Sequence, residues 1–475
     1  MAFTRAPKTF ALSLGPSPWR LAAFAAPGLP LAAAGLPLAV YLPPYYAQEL
    51  GLGLPLVGAI FMLSRVWDAV SDPLIGVLSD RTRSRFGRRK PWIAAGAPIF
   101  ALATLAIFAP QVFGVRPGAG WLAAWMVAFY LGWTMIHIPL AAWGGELSSQ
   151  YHQRSRIQTY SHVASALGLL TVLVLPAALD RIAYQTGGTA NAGLKVAAMG
   201  GFILAILAPT IIAALALVKE PPPPPLPKTR IPLAAALATI IREPLLVRVL
   251  ASDFAVTLGQ SIRGALFVFF VSAYVGRPDL AAGLFLLQFV FGVFAGPIWL
   301  KIGYRLGKHR TVVAGELVQV AINLGLLAVA PNSLPLLIGL TVAQGLAQGS
   351  GNLMLRSLVA DIADKQRLES GEERTALFFS VFTLAGKAAT AVAVGVALPL
   401  VAFLGFRPGH ANTPEALEHL KWVFALGPAL AHIVSAALVS RFSLDETRHG
   451  EIRRALEARE ARAPDSAAAY PAAAE

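Results

Sequence analysis

Asp68 and Asp72 stand four residues apart in an otherwise apolar run that begins near Gly53. A helix stacks residues at that spacing on one face. A charge at the centre of a bilayer costs roughly 2.5–3.5 kcal/mol on insertion scales, so a chain carries it where a partner or a function compensates. Two carboxylates on one face can share a cation or a proton. Arg65, three residues before Asp68, lies in the same arc and offers a purely structural alternative: a neutralised Arg65–Asp68 pair with Asp72 as a cap. Beyond Pro73 the chain turns basic, with Arg81, Arg83, Arg85, Arg88, Arg89 and Lys90 in one short loop before Trp92.

The elements that must hold these groups are membrane helices. The chain has 475 residues, of which 56% are hydrophobic and only 13% charged. That balance belongs to a polytopic membrane protein. Twelve apolar segments are long enough to span, near 21–48, 53–79, 92–112, 120–148, 157–180, 195–218, 245–276, 279–304, 311–330, 333–360, 375–403 and 417–441; each needs about 20 residues. The largest interruption is 219–244, which opens on Lys219-Glu220 and the prolines Pro221 to Pro225. Polyproline is stiff and extended, and 231–241 behind it reads as a short surface helix. The expected organisation is a six-helix bundle over 1–218, a Pro-rich linker over 219–244, a second six-helix bundle over 245–441 and a tail over 442–475. The tail begins as an amphipathic helix from Glu451 to Arg462 and ends as low-complexity chain.

The net charge of +14 suggests nucleic-acid binding, but the position of the charges argues against it. With both termini inside, Arg116, Arg181, Lys195, Arg277, Arg407 and Lys421 fall outside and Arg65, Arg263 and Lys387 within spans; the large majority of the 39 basic residues fall inside. This is the positive-inside bias, so the charge reflects topology and contact with anionic lipid, not a nucleic-acid partner. The chain has no cysteine, hence neither disulfides nor thiol chemistry. The first apolar run is too long for a signal peptide and reads as a retained span.

The two halves carry a faint repeat. Gly76 and Gly87 are eleven apart, as are Gly296 and Gly307, and both second glycines open a basic cluster in the loop after the second helix of their half. Two six-helix halves in parallel repeat is the pattern of a major facilitator transporter. Other spans carry polar stripes: Gln344, Gln348, Asn352 and Arg356 recur every four residues in span ten; Asp253, Thr257, Gln260 and Arg263 occupy span seven; Glu316, Gln319 and Asn323 occupy span nine. Lipid cannot hold such faces cheaply, so they are expected to line a central cavity, with helix–helix hydrogen bonding as the alternative for any single amide. Lys387 in span eleven requires a carboxylate, and Asp68 or Asp72 is the candidate across the halves. Pro30, Pro37, Pro43 and Pro44 are expected to bend span one.

The run Trp67-Asp68-Ala69-Val70-Ser71-Asp72-Pro73, followed by Thr82-Arg83-Ser84-Arg85-Phe86-Gly87-Arg88-Arg89-Lys90-Pro91-Trp92, resembles the glycoside-pentoside-hexuronide:cation symporter family. The resemblance implies an all-α integral membrane protein of the major facilitator fold, with 12 transmembrane helices in two six-helix bundles. It implies a cation site at Asp68 and Asp72, which would hold Na⁺ in a sodium-coupled member, completed by Ser71 and Thr134. Lys387 matches the family's helix-eleven lysine and, with Arg65, takes a coupling role. Asp361 and Asp364 match acidic residues at the inner end of helix ten, expected to latch onto Arg83, Arg85 and Arg88; Glu146 is another candidate latch partner. His137, Trp143, His162, Gln260, Arg263, Gln348 and Asn352 are the expected substrate contacts. Ala32, Ala141 and Ser161 stand where galactoside-binding members carry an Asp, a Trp and an Arg, so the galactoside pocket is absent.

The reading is therefore a Na⁺- or H⁺-coupled symporter for a small polar, sugar- or glycoside-like solute, monomeric, in the inner membrane with both termini cytoplasmic, and with no cofactor beyond the coupling ion. A lipid or amphiphile flippase on the same fold is the alternative. An intramembrane prenyltransferase would need two Asp-x3-Asp pairs, and the cluster at Asp361 and Asp364 is spaced differently.

Overall fold

The computed structural model describes residues 17–147, 151–185, 191–220, 240–331, 333–371, 374–444 and 446–462. Among them the chain is helical throughout. We number the helices α1 (Pro18–Val40), α2 (Leu54–Arg81), α3 (Lys90–Phe108), α4 (Ala119–Glu146), α5 (Tyr151–Gln185), α6 (Ala192–Leu217), α7 (Pro244–Phe269), α8 (Ala281–Leu306), α9 (Lys308–Gly325), α10 (Leu334–Ala347), α11 (Ser350–Ser370), α12 (Thr375–Phe403), α13 (Pro414–Ser440) and α14 (Glu446–Arg462). Among the described residues eleven helices are long and apolar enough to cross a membrane; the expected tenth span is divided between α10 and α11.

Local chemistry sets the boundaries. Pro55, Pro91, Pro244 and Pro414 occupy first-turn positions, where the missing N–H costs nothing. Asn191 and Thr413 cap α6 and α13, accepting from Leu194 N at 3.0 Å and Ala416 N at 3.2 Å. The α-helix of span one stops at Val40; Pro43 and Pro44 sit at the start of a short helical segment, Leu42–Pro44, where a missing N–H costs little, and the chain continues through a π-helical turn at Tyr45–Glu49.

The tenth span departs from the expected straight helix over 333–360. Gln348 is extended (φ −64°, ψ 137°) and Gly349 is left-handed at φ +83°, after which α11 restarts. Glycine reaches that region without a Cβ penalty. The four-residue stripe Gln344, Gln348, Asn352, Arg356 is therefore divided between two helices and does not form one face.

α2 shows how a membrane helix sorts its residues. Leu63, Val66, Val70, Leu74 and Val77 are exposed on one side, while Phe61, Ser64, Asp68, Ser71 and Ile75 are buried on the other. Lipid provides no hydrophobic drive for helix association, so close contact relies on small residues. A Cβ at Gly132 of α4 would lie 2.6 Å from Phe100 N of α3, and α3 and α4 pack along their length. Across the two sets of six, α2 packs on α12, α5 on α8 and α1 on α7. At the end away from the basic loop, Gly58 meets Val394, Leu398 and Pro399, and Gly395 meets Met62. One apolar cluster, including Tyr46, Phe61, Phe108, Phe270, Leu398 and Phe424, runs through both sets. A second lies at the basic-loop end of the later helices, around Leu246, Val312, Leu355, Phe378 and Ile452.

The tail helix is longer than the expected 451–462. It seats Ile452 and Leu456 in the second cluster, and His449 Nε2 lies 3.1 Å from Asp364 Oδ2. The prolines Pro221 to Pro225 and all but the last two residues of the expected surface helix over 231–241 lie outside the described residues.

Candidate functional site

Asp68 and Ser71 on α2, Thr134 on α4 and Lys387 on α12 each lie near the middle of their helix, so packing α2 against both α4 and α12 brings them together at mid-depth. Lys387 Nζ donates to Asp68 Oδ2 at 2.7 Å and also to Asp72 Oδ2. Thr134 Oγ1 donates to Asp72 Oδ1 at 2.9 Å and lies 3.4 Å from Asp68 Oδ1. Ser71 Oγ is 3.3 Å from Thr134 Oγ1 and donates to the Asp68 carbonyl at 3.1 Å. Asp68, Ser71 and Thr134 are buried; Asp72 and Lys387 keep side-chain exposures of 18% and 25%, so the cluster opens on one side. With both carboxylates ionised, the trio of two carboxylates and one ammonium carries one net negative charge. Its oxygen donors (two carboxylates and two hydroxyls) are the kind that suit a hard cation.

His137 stands one turn along α4 from Thr134. Its side chain is exposed, with Asp72, Lys387 and Asp68 in electrostatic reach and no hydrogen bond among the described residues.

Several expected site residues are elsewhere. Arg65 does not bridge to Asp68; its guanidinium stacks 5.2 Å from the Tyr130 ring, and Lys387 takes the carboxylates instead. Trp143 is fully buried, edge-on to Phe24 at 5.5 Å with Lys90 Nζ over its ring. Nine residues beyond Thr134, at 100° each, place it half a turn from the site face. Arg263, 4% exposed, donates to Asn323 Oδ1 at 2.9 Å and stacks on Phe424; it joins α7, α9 and α13 and does not line a cavity. Gln348 is half-buried with Oε1 toward Gly292 of α8. Asn352 and Gln260 are half-buried and His162 is exposed, with no described bond from any of the three to the carboxylate cluster.

The expected latch across the halves is replaced by pairs inside each half. Arg88 and Arg89 meet Glu146 at 2.6 and 2.9 Å, and Arg89 also meets Asp80. Arg83 and Arg85 are exposed, and Arg85 stacks on Phe86. Asp361 pairs with Lys308 at 2.7 Å, and Asp364 with His449 and with Arg453 at 3.6 Å. Each acid finds a cation in its own half. Among the described ion pairs, those joining the two sets of six are Lys387–Asp68 and Lys387–Asp72.

The glycine repeat marks two matching turns, and the Lys308–Asp361 contact behind the second was not anticipated. Gly87 is at φ +103° and Gly307 at φ +78°, and the residue after each pairs with an acid of a later helix, Arg88 with Glu146 at the end of α4 and Lys308 with Asp361 within α11. Glu220 was not anticipated: its carboxylate accepts from the Arg88 and Arg89 backbone N–H groups, each at 2.9 Å. The positive φ favours glycine at 87, and a Cβ there, 2.1 Å from Glu220 Oε2, would in addition push that carboxylate aside.

The fold and the site define a membrane transporter of the major facilitator type. The model of the MFS/sugar transport protein family matches residues 23–446, and the chain belongs to that family, in agreement with the resemblance read from its motifs. It is 23% identical to the isoprimeverose transporter of Lactiplantibacillus pentosus over 86% of this chain and 85% of that one. It is 23% identical to a glucuronide carrier protein homolog of Escherichia coli, over 87% and 90%, and 23% identical to the sodium-dependent lysophosphatidylcholine symporter 1 of Mus musculus, over 92% and 87%. Among solved structures, nucleoside transporter NupG superimposes with a TM-score of 0.63 at 11% identity, over 90% of this chain and 100% of that one. A bacterial homolog of the human lysosomal transporter Spinster gives 0.61 at 14%, over 94% and 99%. These two likenesses show the fold alone.

Proposed function

We propose that the protein is a cation-coupled symporter that carries a small polar, sugar- or glycoside-like solute across the bacterial inner membrane by alternating access, as a monomer with both termini cytoplasmic. The observation that carries this reading is the clamp of Lys387 on Asp68 and Asp72. The clamp is the described ionic tie between the two sets of helices, and a competing cation would loosen it. Na⁺ or H⁺ entering between Asp68, Asp72, Ser71 and Thr134 offsets the net negative charge of the trio and weakens the hold of Lys387. The substrate then binds beside the occupied site, with His137 as the nearest polar group able to donate or accept. Coupling follows because the empty, charged site resists movement through the apolar centre.

The solute class is supported by relatives named for isoprimeverose and glucuronides. A second reading, transport of an amphiphile, is favoured by the similarity to a lysophosphatidylcholine symporter and by alanine at 32 and 141 where galactoside-binding members carry polar or aromatic contacts. Flux in proteoliposomes, with and without an imposed Na⁺ or proton gradient, tests the proposal. Uphill accumulation of a glycoside panel supports the first reading, and of lysolipids the second. Downhill flux indifferent to both gradients would overturn coupling.

A further inference from the structure

The cation reading leaves one buried titratable pair unused. Glu316 on α9 and His432 on α13 are each 1% exposed, and His432 Nδ1 lies 2.5 Å from Glu316 Oε2. Two bare lone pairs do not approach so closely, so the ring presents Nδ1–H to the carboxylate, as a neutral tautomer or as an imidazolium. The other carboxylate oxygen reaches the restart of the broken tenth crossing, where a Cβ at Gly351 would lie 2.2 Å from Glu316 Oε1. One residue back, a Cβ at Gly315 would lie 2.4 Å from Ser350 Oγ. Residues 315 and 316 are therefore seated directly on the first turn of α11.

The surroundings decide the charge. On α7, Asp253 is 3% exposed and interacts with both Glu316 and Arg356 of α11. Also on α7, Ser252 is hydrogen-bonded to Ser435 of α13 at 2.7 Å. α12 presents Gly386 toward Asp253, and Arg263, further along α7, is held by Asn323. Among the described ion pairs the basic group that meets Glu316 is His432, so the two must balance each other. They do so with one proton, either as carboxylate and imidazolium or as carboxylic acid and neutral imidazole. Without it, one negative charge is left uncompensated among four helices, which is costly in a dry interior.

We infer that Glu316 and His432 form a proton-binding site, separate from the Asp68–Asp72 cluster, whose bound proton holds the start of α11 against α9. The inference goes beyond the symport reading and stands without it. The ligand is a single proton, and its loss loosens the break at Gln348-Gly349.

The test uses the full-length protein in phosphatidylcholine–phosphatidylglycerol vesicles, with protons as the probe. Infrared difference spectra between acidic and alkaline buffer should contain a coupled carboxyl and imidazole change. It should vanish in both E316Q and H432Q, show no further loss in the double variant, and persist in D68N. In the wild type, amide exchange over 348–352 should rise several-fold in alkaline buffer, and that dependence should be absent in H432Q. A change that survives either glutamine variant, or is lost only in D68N, would overturn the assignment. Nitrogen NMR of ring-labelled histidine in the wild type covers the case in which a variant does not insert. A His432 ring titrating in step with the exposed His410 refutes the site, and a ring titrating apart from it supports the site.

Discussion

Asp68 and Asp72 sit on one α2 face as their spacing required, but what they do there depends on a lysine more than 300 residues away. Replacing either by Asn removes one of two anions from the clamp. D68N and D72N are each expected to insert normally and to lose gradient-driven accumulation in vesicles; wild-type accumulation by both would remove the cation site from this location. His137 presents its ring to open space near the clamp. If it meets the solute, His137→Ala should weaken substrate binding by about 1–3 kcal/mol, the cost of an unmade polar contact in a dry site, with cation affinity retained. Isothermal titration separates the two affinities. Trp143 provides the contrast: fully buried against Phe24, it should cost about 3–5 kcal/mol of stability on truncation to Ala and leave substrate affinity unchanged, as thermal unfolding and binding measured together would reveal.

At the scale of elements, the broken tenth crossing matters most. Gly349 is left-handed, and a Cβ there would meet no atom within 4 Å. Gly349→Ala should therefore cost only the backbone penalty, about 1–2 kcal/mol. Unfolding measurements with no change in stability would mean that the break is not held in solution. At Gly87 the demands are two, a positive φ and the Glu220 carboxylate in the Cβ position. Gly87→Ala should cost more than Gly349→Ala, because it also displaces the carboxylate that accepts from Arg88 and Arg89 N–H just before α3. The tail helix α14 is likewise tied to α11 by apolar contacts and by His449 and Arg453 at Asp364.

The whole molecule has its two sets of helices packed together at one end and ion-paired within each set at the other. A Cβ at Gly395 would lie 2.9 Å from Met62 Cβ, within an ångström of the separation of about 3.8 Å typical of a disulfide. The chain has no native cysteine, so M62C–G395C provides a clean cross-link. Oxidation is expected to lock α2 to α12 and stop flux, with reduction restoring it. Undiminished flux through a fully cross-linked population would show that this contact does not open during transport.

The membrane class, the spans, the basic loop, the one-face carboxylates and the family were legible in the sequence, because each depends on local periodicity, composition or a contiguous motif. Even Lys387 as the partner of Asp68 or Asp72 could be reasoned out, since a mid-span ammonium has few alternatives. Tertiary structure alone decided which of several equally spaced polar groups face one another. Trp143 and Arg263 are read into the site by sequence and into the interior by packing, since spacing gives a face but not the neighbour across from it. The split of the tenth crossing turns on a single backbone conformation at Gly349 that an apolar pattern does not encode. Asp361 and Asp364 were predicted to latch onto the basic loop across the halves, yet each closes on a cation of its own half, and Arg88 pairs instead with Glu146, the other candidate. Charge complementarity names the possible partners, and only the packing of the helices decides which is within reach.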